Sequence, residues 1–324
     1  MSTTSLRGAP SFGTGPRAGR VQRSTSLTRQ SPRRGERVVM AGLFSAALVS
    51  VLVTVGIVAA LLAPALEFFR EVSVVEFLTT TRWAPRFESQ RSFGVLPLVS
   101  GTLWTTVISL LIAIPFGLGA AVYLSEYAPT RVRKVLKPVL ELLAGVPSVV
   151  YGFFALTFIA PVMLKDLLNL EVGTFSVLSA GIALGIMIIP TVASLSEDAM
   201  SAVPSALRQG SVALGANTMR TTLRVVFPAA ISGIAASVVL GLSRAVGETM
   251  IVALAAGTQA RVVTSPFQPG QTMTGFIAQT ATGESTPGTL GYNSLYAVGL
   301  LLFVLTLIAN IISIRLVRKF REAY

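Results

Sequence analysis

The chain has 324 residues, of which 52% are apolar and 12% charged, where a soluble domain would carry roughly a quarter charged residues. It contains no cysteine and no histidine, which excludes a disulfide framework, thiol chemistry and the usual zinc, haem and Ser-His-Asp chemistries. A net charge of +12 would suggest nucleic acid in a soluble protein, but its placement along this chain reads as membrane topology, and no nucleic-acid partner is expected.

Residues 1–37 are rich in Ser, Thr, Arg, Gly and Pro and hold eight arginines: Arg7, Arg17, Arg20, Arg23, Arg29, Arg33, Arg34 and Arg37. Such a segment cannot bury enough apolar surface to fold, so a disordered basic cytoplasmic tail that touches anionic lipid is expected. Residues 38–66 form an uncharged run and the first expected transmembrane helix, too long for the apolar part of a signal peptide. Residues 67–91, with four Arg against four Glu, make an external connection.

The expected core, 92–320, contains five further uncharged runs: Ser92 to Ser125, Leu142 to Leu164, Val172 to Ser196, Val225 to Ser243 and Ser285 to Ile314. Each reaches the roughly 18–20 residues that a helix needs to cross about 30 Å of hydrocarbon. Barrel strands would instead alternate over about ten residues. The fold class is therefore an all-α integral membrane protein of about six transmembrane helices. Pro97 and Pro115-Phe-Gly-Leu-Gly119 are expected to divide the second run, Gly145-Val-Pro147 to break the third and Pro190 to interrupt the fourth.

Basic residues alternate from one connection to the next. Residues 126–137 hold Arg131, Arg133, Lys134 and Lys137 against Glu126, whereas Lys165, Asp166 and Glu171 leave the following connection slightly acidic. Residues 197–224 hold Arg208, Arg220 and Arg224, and the tail ends with Arg315, Arg318, Lys319 and Arg321. By the positive-inside rule both termini face the cytoplasm.

The fifth run meets Arg244 and Glu248 before apolar sequence resumes. Four residues apart, they would share one face of a helix within reach of each other. Each costs about 2.5–3.5 kcal/mol at the bilayer centre, so neither is expected to face lipid. One reading is a structural ion pair, and the other is a polar site on a permeation path. Arginine suits an oxyanion because its planar fork donates two parallel hydrogen bonds and stays charged. Glu141 beside the basic 131–137 segment reads as an interfacial residue at a helix start.

Between the fourth and fifth runs, residues 197–228 read as a short helix, a glycine stop at Gly215, a polar stretch and Pro228 opening the next span. The spacing from Gly215 across nine residues to Val225-Val-Phe-Pro228 resembles the signature loop of ABC importer permeases. The family's usual Glu-Ala-Ala is replaced here by Gln209-Gly210-Ser211. Ala121-Val-Tyr-Leu-Ser-Glu126-Tyr-Ala-Pro129, Leu140-Glu-Leu-Leu-Ala-Gly-Val-Pro-Ser-Val-Val-Tyr-Gly152, Arg244-Ala-Val-Gly-Glu-Thr-Met250 and Tyr292-Asn-Ser-Leu-Tyr-Ala-Val-Gly-Leu-Leu-Leu-Phe303 closely resemble the phosphate-specific permeases of that family. Trp83-Ala-Pro85 and Phe93-Gly-Val-Leu-Pro97 in and after the long first external connection point to the C-type of the two paralogous subunits.

The resemblance implies an ABC importer type I permease core in a bacterial plasma membrane. It implies that Arg244 and Glu248 serve phosphate translocation, and that Gln209, Gly210, Ser211, Leu214, Gly215 and Ala216 couple the chain to an ATPase. Glu126, Glu141, Pro147 and Tyr151 belong to the resembling motifs without an assigned role. The implied partners are a second phosphate permease forming a heterodimer, an ATP-binding subunit dimer and an external phosphate-binding protein. No Gly-x-x-x-x-Gly-Lys phosphate loop is present, so ATP hydrolysis belongs to a partner, and no cofactor is expected. A permease for sulfate or molybdate stands as the nearest alternative. A secondary transporter would also explain broken helices and buried charge, and the poor inventory of acids and bases argues against a membrane enzyme.

Overall fold

The computed structural model describes residues 34–85, 91–283 and 286–319. Most of the expected basic tail therefore lies outside the described residues. The chain divides into two compact units, 1–55 and 56–324. The described part of the first unit is a single exposed apolar helix, the beginning of α1 (Arg34–Glu71). That helix starts before the expected 38–66 run and continues beyond it, because flanking Arg34, Glu36 and Arg70 are good helix formers.

The second unit continues with α2 (Val74–Thr79), a two-stranded antiparallel ribbon of β1 (Trp83–Ala84) and β2 (Ser92–Phe93), and α3 (Leu96–Val122). A π-helical turn, Tyr123–Tyr127, ends α3. Then come α4 (Thr130–Ala144), α5 (Ser148–Phe154) running into a π-helix at Ala155–Leu167, and α6 (Val177–Ser201). The segment α7 (Ser205–Ala213), α8 (Thr218–Thr221), a π-turn at Thr222–Val226 and α9 (Phe227–Ala229) leads to α10 (Ile231–Gly247). The chain closes with α11 (Met250–Ala255), α12 (Met273–Thr282) and α13 (Leu290–Lys319).

Among the described residues, five helices are long and apolar enough to cross a membrane: Gly35–Glu71, Leu96–Tyr127, Ser148–Leu167, Val177–Ser201 and Leu290–Arg315. The pair Thr218–Ala229 and Ile231–Gly247, bent by 72° just after Pro228, makes a sixth when the two are taken together as one span. The described chain is thus the expected all-α membrane protein of about six spans.

Span α6 is the centre of the unit. Ala180, Ala183, Leu184, Met187 and Ile188 are all fully buried, so this helix is enclosed by protein over much of its length. Small residues let α3 approach it closely. A Cβ on Gly181 would stand 2.7 Å from Ile108, and one on Gly185 3.0 Å from the Ser109 carbonyl. Phe68, at the end of the first span, packs edge to face with Phe77 and Phe93, and Trp83 does so with Phe93 and Phe276, which fixes the end of α1, the ribbon and α12 together.

Several expected breaks fall differently. Pro97 opens α3 at its first turn, where a missing N–H costs nothing, and does not divide a span. Pro115 and Pro190 lie inside continuous helices α3 and α6. Gly145-Val-Pro147 does break the chain, but it separates amphipathic α4 from the span that begins at Ser148. Glu141 consequently sits in the last turn of α4 and not at a helix start, and it is exposed. Pro147 caps α5, where its fixed φ of −57° suits a helix entrance.

Candidate functional site

Arg244 lies in the last turn of α10, and its Nη1 donates to the Thr191 hydroxyl of α6 at 3.3 Å. The side chain is half-buried, and among the described residues no carboxylate lies within 4.0 Å of it. Five N–H donors on a guanidinium thus meet one long hydrogen bond. On α5, the Tyr151 hydroxyl donates to the Leu143 carbonyl at 3.1 Å. Tyr151 arrives there because α5 packs closely on α11: a Cβ on Gly152 would stand 3.2 Å from the Ile251 Cα.

Glu248 is not on the same helical face as Arg244. Helix α10 stops at Gly247, and Glu248 is extended, with φ −67° and ψ 131°. Its Oε1 accepts from the backbone N–H of Met250 at 3.0 Å and of Ile251 at 3.3 Å, capping α11. Its carbonyl accepts from the Thr274 hydroxyl at 2.7 Å. The physical reason is local competition. Gly247 weakens the helix, and two carboxylate–amide bonds at a helix start outweigh an ion pair at four-residue spacing, worth about 0.3–0.5 kcal/mol. Of the two sequence readings, the structural Arg244–Glu248 ion pair is absent among the described residues.

The second site is the segment after α6. Gln209, Gly210 and Ser211 lie in α7, which buries none of its residues. Its end is a Schellman cap: the Ala216 N–H donates to the Ser211 carbonyl at 3.2 Å and the Gly215 N–H to the Val212 carbonyl at 2.9 Å. Gly215 takes the φ of +82° that this cap requires. The cap leaves Leu214 projecting with 91% of its surface exposed, an apolar side chain with no covering in this chain. Asn217 then caps α8 through the Arg220 N–H at 2.9 Å, and the Ser211 and Thr221 hydroxyls join the two arms at 2.9 Å.

Two further ionic clusters surround this end of the molecule. The Glu126 carboxylate, in the π-turn after α3, is gripped by Arg208 of α7. Glu197 of α6 is fully buried; its carboxylate pairs with Arg133 and with Lys137, the latter at 2.6 Å, and accepts from the Ser201 hydroxyl at 2.8 Å. Lys137 also pairs with Asp198. Burial of Lys137, in α4 outside the candidate spans, disfavours its charged form, but the Asp198 and Glu197 carboxylates outweigh this and hold its pKa above the usual lysine value. The sequence placed Glu197 at the edge of a connection. The signal that marks it is four-residue periodicity: Arg133 and Lys137 on one helix, Glu197 and Ser201 on another.

The family profile of binding-protein-dependent transport system inner membrane components matches residues 113–322. A probable ABC transporter permease of Bacillus subtilis, YqgH, is 40% identical across 84% of this chain and 86% of its own length. The phosphate transport system permease protein PstC of Mesorhizobium japonicum is 36% identical across 71% of this chain and 74% of its own. That of Haemophilus influenzae is 35% identical across 76% and 82%. Among solved structures, a bacterial alginate ABC transporter subunit superposes with a TM-score of 0.64 at 15% identity, over 89% of this chain and 96% of the other. A chain of the MetNI methionine ABC transporter, inward facing, superposes with a TM-score of 0.53 at 19% identity, over 69% and 96%. These structures carry the fold: α-helical membrane permease of the ABC importer kind. The chain belongs to the inner-membrane components of binding-protein-dependent transport systems, and within them to the PstC permeases.

Proposed function

We propose that this chain is a pore-forming permease subunit of an ATP-driven importer of inorganic phosphate in the bacterial plasma membrane. It would form a heterodimer with a second permease, both fed by an external phosphate-binding protein and driven by a dimer of ATP-binding subunits. Both termini then face the cytoplasm. The observation that carries this reading is Arg244: a half-buried guanidinium in a span, with one long bond to Thr191 and no carboxylate within 4.0 Å among the described residues. Such a group offers charge and a planar set of donors to an oxyanion in a poorly screened setting.

Glu248 fits beside it as a discriminator. Its Oε1 is committed to the start of α11, leaving Oε2 as an acceptor. Hydrogen phosphate can donate its proton to that oxygen. Sulfate cannot, and would leave an unpaired acceptor facing an anion. At the other end of the molecule, Leu214 and the arm Gln209 to Ala216 supply the surface for the ATP-binding subunit.

Reconstitution with the partner subunits in liposomes tests the reading. ATP and phosphate-loaded binding protein are expected to drive labelled phosphate inward, unaffected by excess sulfate or molybdate. Equal competition by either anion would reassign the substrate. Uptake abolished by collapsing ion gradients while ATP remains would overturn the ATP-driven mechanism.

A further inference from the structure

Helix α7 buries none of its residues, so something other than a packed core must fix it to the spans. Leu207 supplies one contact, packing beside Met200 and Val203. The polar anchor is Arg208. Its Nη2 donates to Glu126 Oε1 at 2.8 Å and its Nε to Glu126 Oε2 at 3.3 Å, a two-point grip across 82 positions of sequence. Its Nη1 donates to the Val203 carbonyl at 2.6 Å, and its Nη2 also to the Met200 carbonyl at 2.7 Å. Met200 lies in the last turn of α6 and Val203 just beyond its end, where the helix dipole is negative. One side chain therefore closes the end of α6 and binds the end of α3 at once. The Glu126 side chain is only 6% exposed, and the Ser125 hydroxyl holds the same Oε1 at 2.8 Å. Neighbouring Gln209 is neutral and exposed, so the charge that ties this arm to the spans sits at position 208.

We propose that Arg208 and Glu126 are positioning residues forming a strut, through which displacement of α7 is passed to α3 and α6. This rests on the transport reading above. Two features make the strut consequential. Helices α3 and α6 interlock through Gly181 and Gly185, so a shift of either one presses on the other. Helix α6 also carries Thr191, the hydroxyl that Arg244 engages. Pulling on the end of α6 thus reaches the candidate anion site without any contact between α7 and Arg244. Because the grip is bidentate and charge-assisted, it resists both sliding and rotation of α7.

The test uses the complete complex in liposomes, with Glu126→Gln, Arg208→Gln and the double variant. Phosphate moved per ATP hydrolysed is measured, together with stimulation of hydrolysis by the loaded binding protein and co-purification of the ATP-binding subunit. Each single variant is expected to keep the subunit bound and hydrolysing, to lose stimulation, and to move about tenfold less phosphate per ATP. The double variant is expected to be no worse than either single one, since both remove the same link. Unchanged phosphate per ATP, or additive losses, would overturn the strut. So would loss of uptake in proportion to loss of bound ATP-binding subunit, because the residues would then only hold the fold or the docking. A wild-type complex that carries a different anion would overturn the phosphate assignment alone, and the same ratio for that anion would still judge the strut.

Discussion

Arg244 and Glu248, four residues apart, are separated by a helix end: the guanidinium reaches Thr191 on α6, while the carboxylate caps α11 through Met250 and Ile251. An ion pair would have neutralised both groups inside a span. The break leaves the cation with spare donors and the anion with a structural duty.

Arg244→Lys is expected to lower phosphate uptake roughly tenfold to a hundredfold, as a charge-assisted bond worth about 1.5–3 kcal/mol is lost with the planar fork. The permease should still assemble, since Thr191 contributes only one 3.3 Å contact. Near-normal uptake by this variant would remove Arg244 from the path.

Glu248→Gln should keep the α11 cap, because a carboxamide oxygen also accepts from both amides, and stability should move by no more than about 0.5 kcal/mol. Selectivity is where the change should appear. A carboxamide can donate to sulfate, so sulfate uptake or competition should rise in transport assays. Retained phosphate uptake with no sulfate effect would count against a discriminating role.

The Glu197 cluster predicts an asymmetry. Glu197 is fully buried, whereas Arg133 and Lys137 keep 37% and 27% of their side chains exposed. Removing both cations with Arg133→Met and Lys137→Met strands a buried carboxylate, at a cost of about 3–5 kcal/mol. Glu197→Gln leaves cations that can rehydrate, and should cost about 1–3 kcal/mol. The raised pKa of Lys137 means its contribution is fully present below the ordinary lysine value of 10.5 and is lost only as pH rises through the higher folded value. Thermal melts of the purified protein should therefore show a variant-to-wild-type gap that stays flat from about pH 6 to 9.

Much of the fold was legible because insertion in a bilayer imposes a single strong rule, long uncharged runs: five runs correspond to helices long and apolar enough to cross, and the sixth to a bent pair. Proline positions were harder to read. Pro97 starts a helix, Pro115 and Pro190 lie inside continuous helices, whereas Pro147 and Pro228 accompany breaks, and nothing local distinguishes them. The candidate site residues were visible as types and spacings. Their partners were not, since Arg208 finds Glu126 from 82 positions away and Glu248 chooses backbone over Arg244.

Two glycines in α3 give a matched pair. A Cβ on Gly101 would meet the Gln271 carbonyl oxygen at 2.4 Å, a backbone atom held in place by the Gln271 N–H bond to Gln259 at 3.1 Å. Gly101→Ala should therefore destabilise by about 1–3 kcal/mol through overpacking. A Cβ on Gly119 meets nothing within 4 Å, so Gly119→Ala should be neutral or stabilising by up to about 1 kcal/mol from helix propensity. Melting of the two variants side by side checks the pair, and equal effects would contradict the close approach of the Gln271 backbone to α3.

The cap after α7 separates conformation from contact. Gly215→Ala must place a Cβ in the left-handed region at φ +82°, at a cost of roughly 1–2 kcal/mol, although nothing lies within 4 Å of that Cβ. The strain falls on the Schellman cap, so the arm carrying Leu214 should lose its fixed direction, and association with the ATP-binding subunit should weaken together with transport. Leu214→Asp acts oppositely. With 91% of its surface exposed, Leu214 contributes little to the isolated fold, and melting should change by less than about 0.5 kcal/mol. An aspartate in an apolar docking cleft would be an unpaired charge, so co-purification of the ATP-binding subunit should fall sharply. If Leu214→Asp leaves that association intact, the exposed leucine is not the docking contact, and the glycine cap would have to act through Val212 or Met219, which are 60% and 61% exposed.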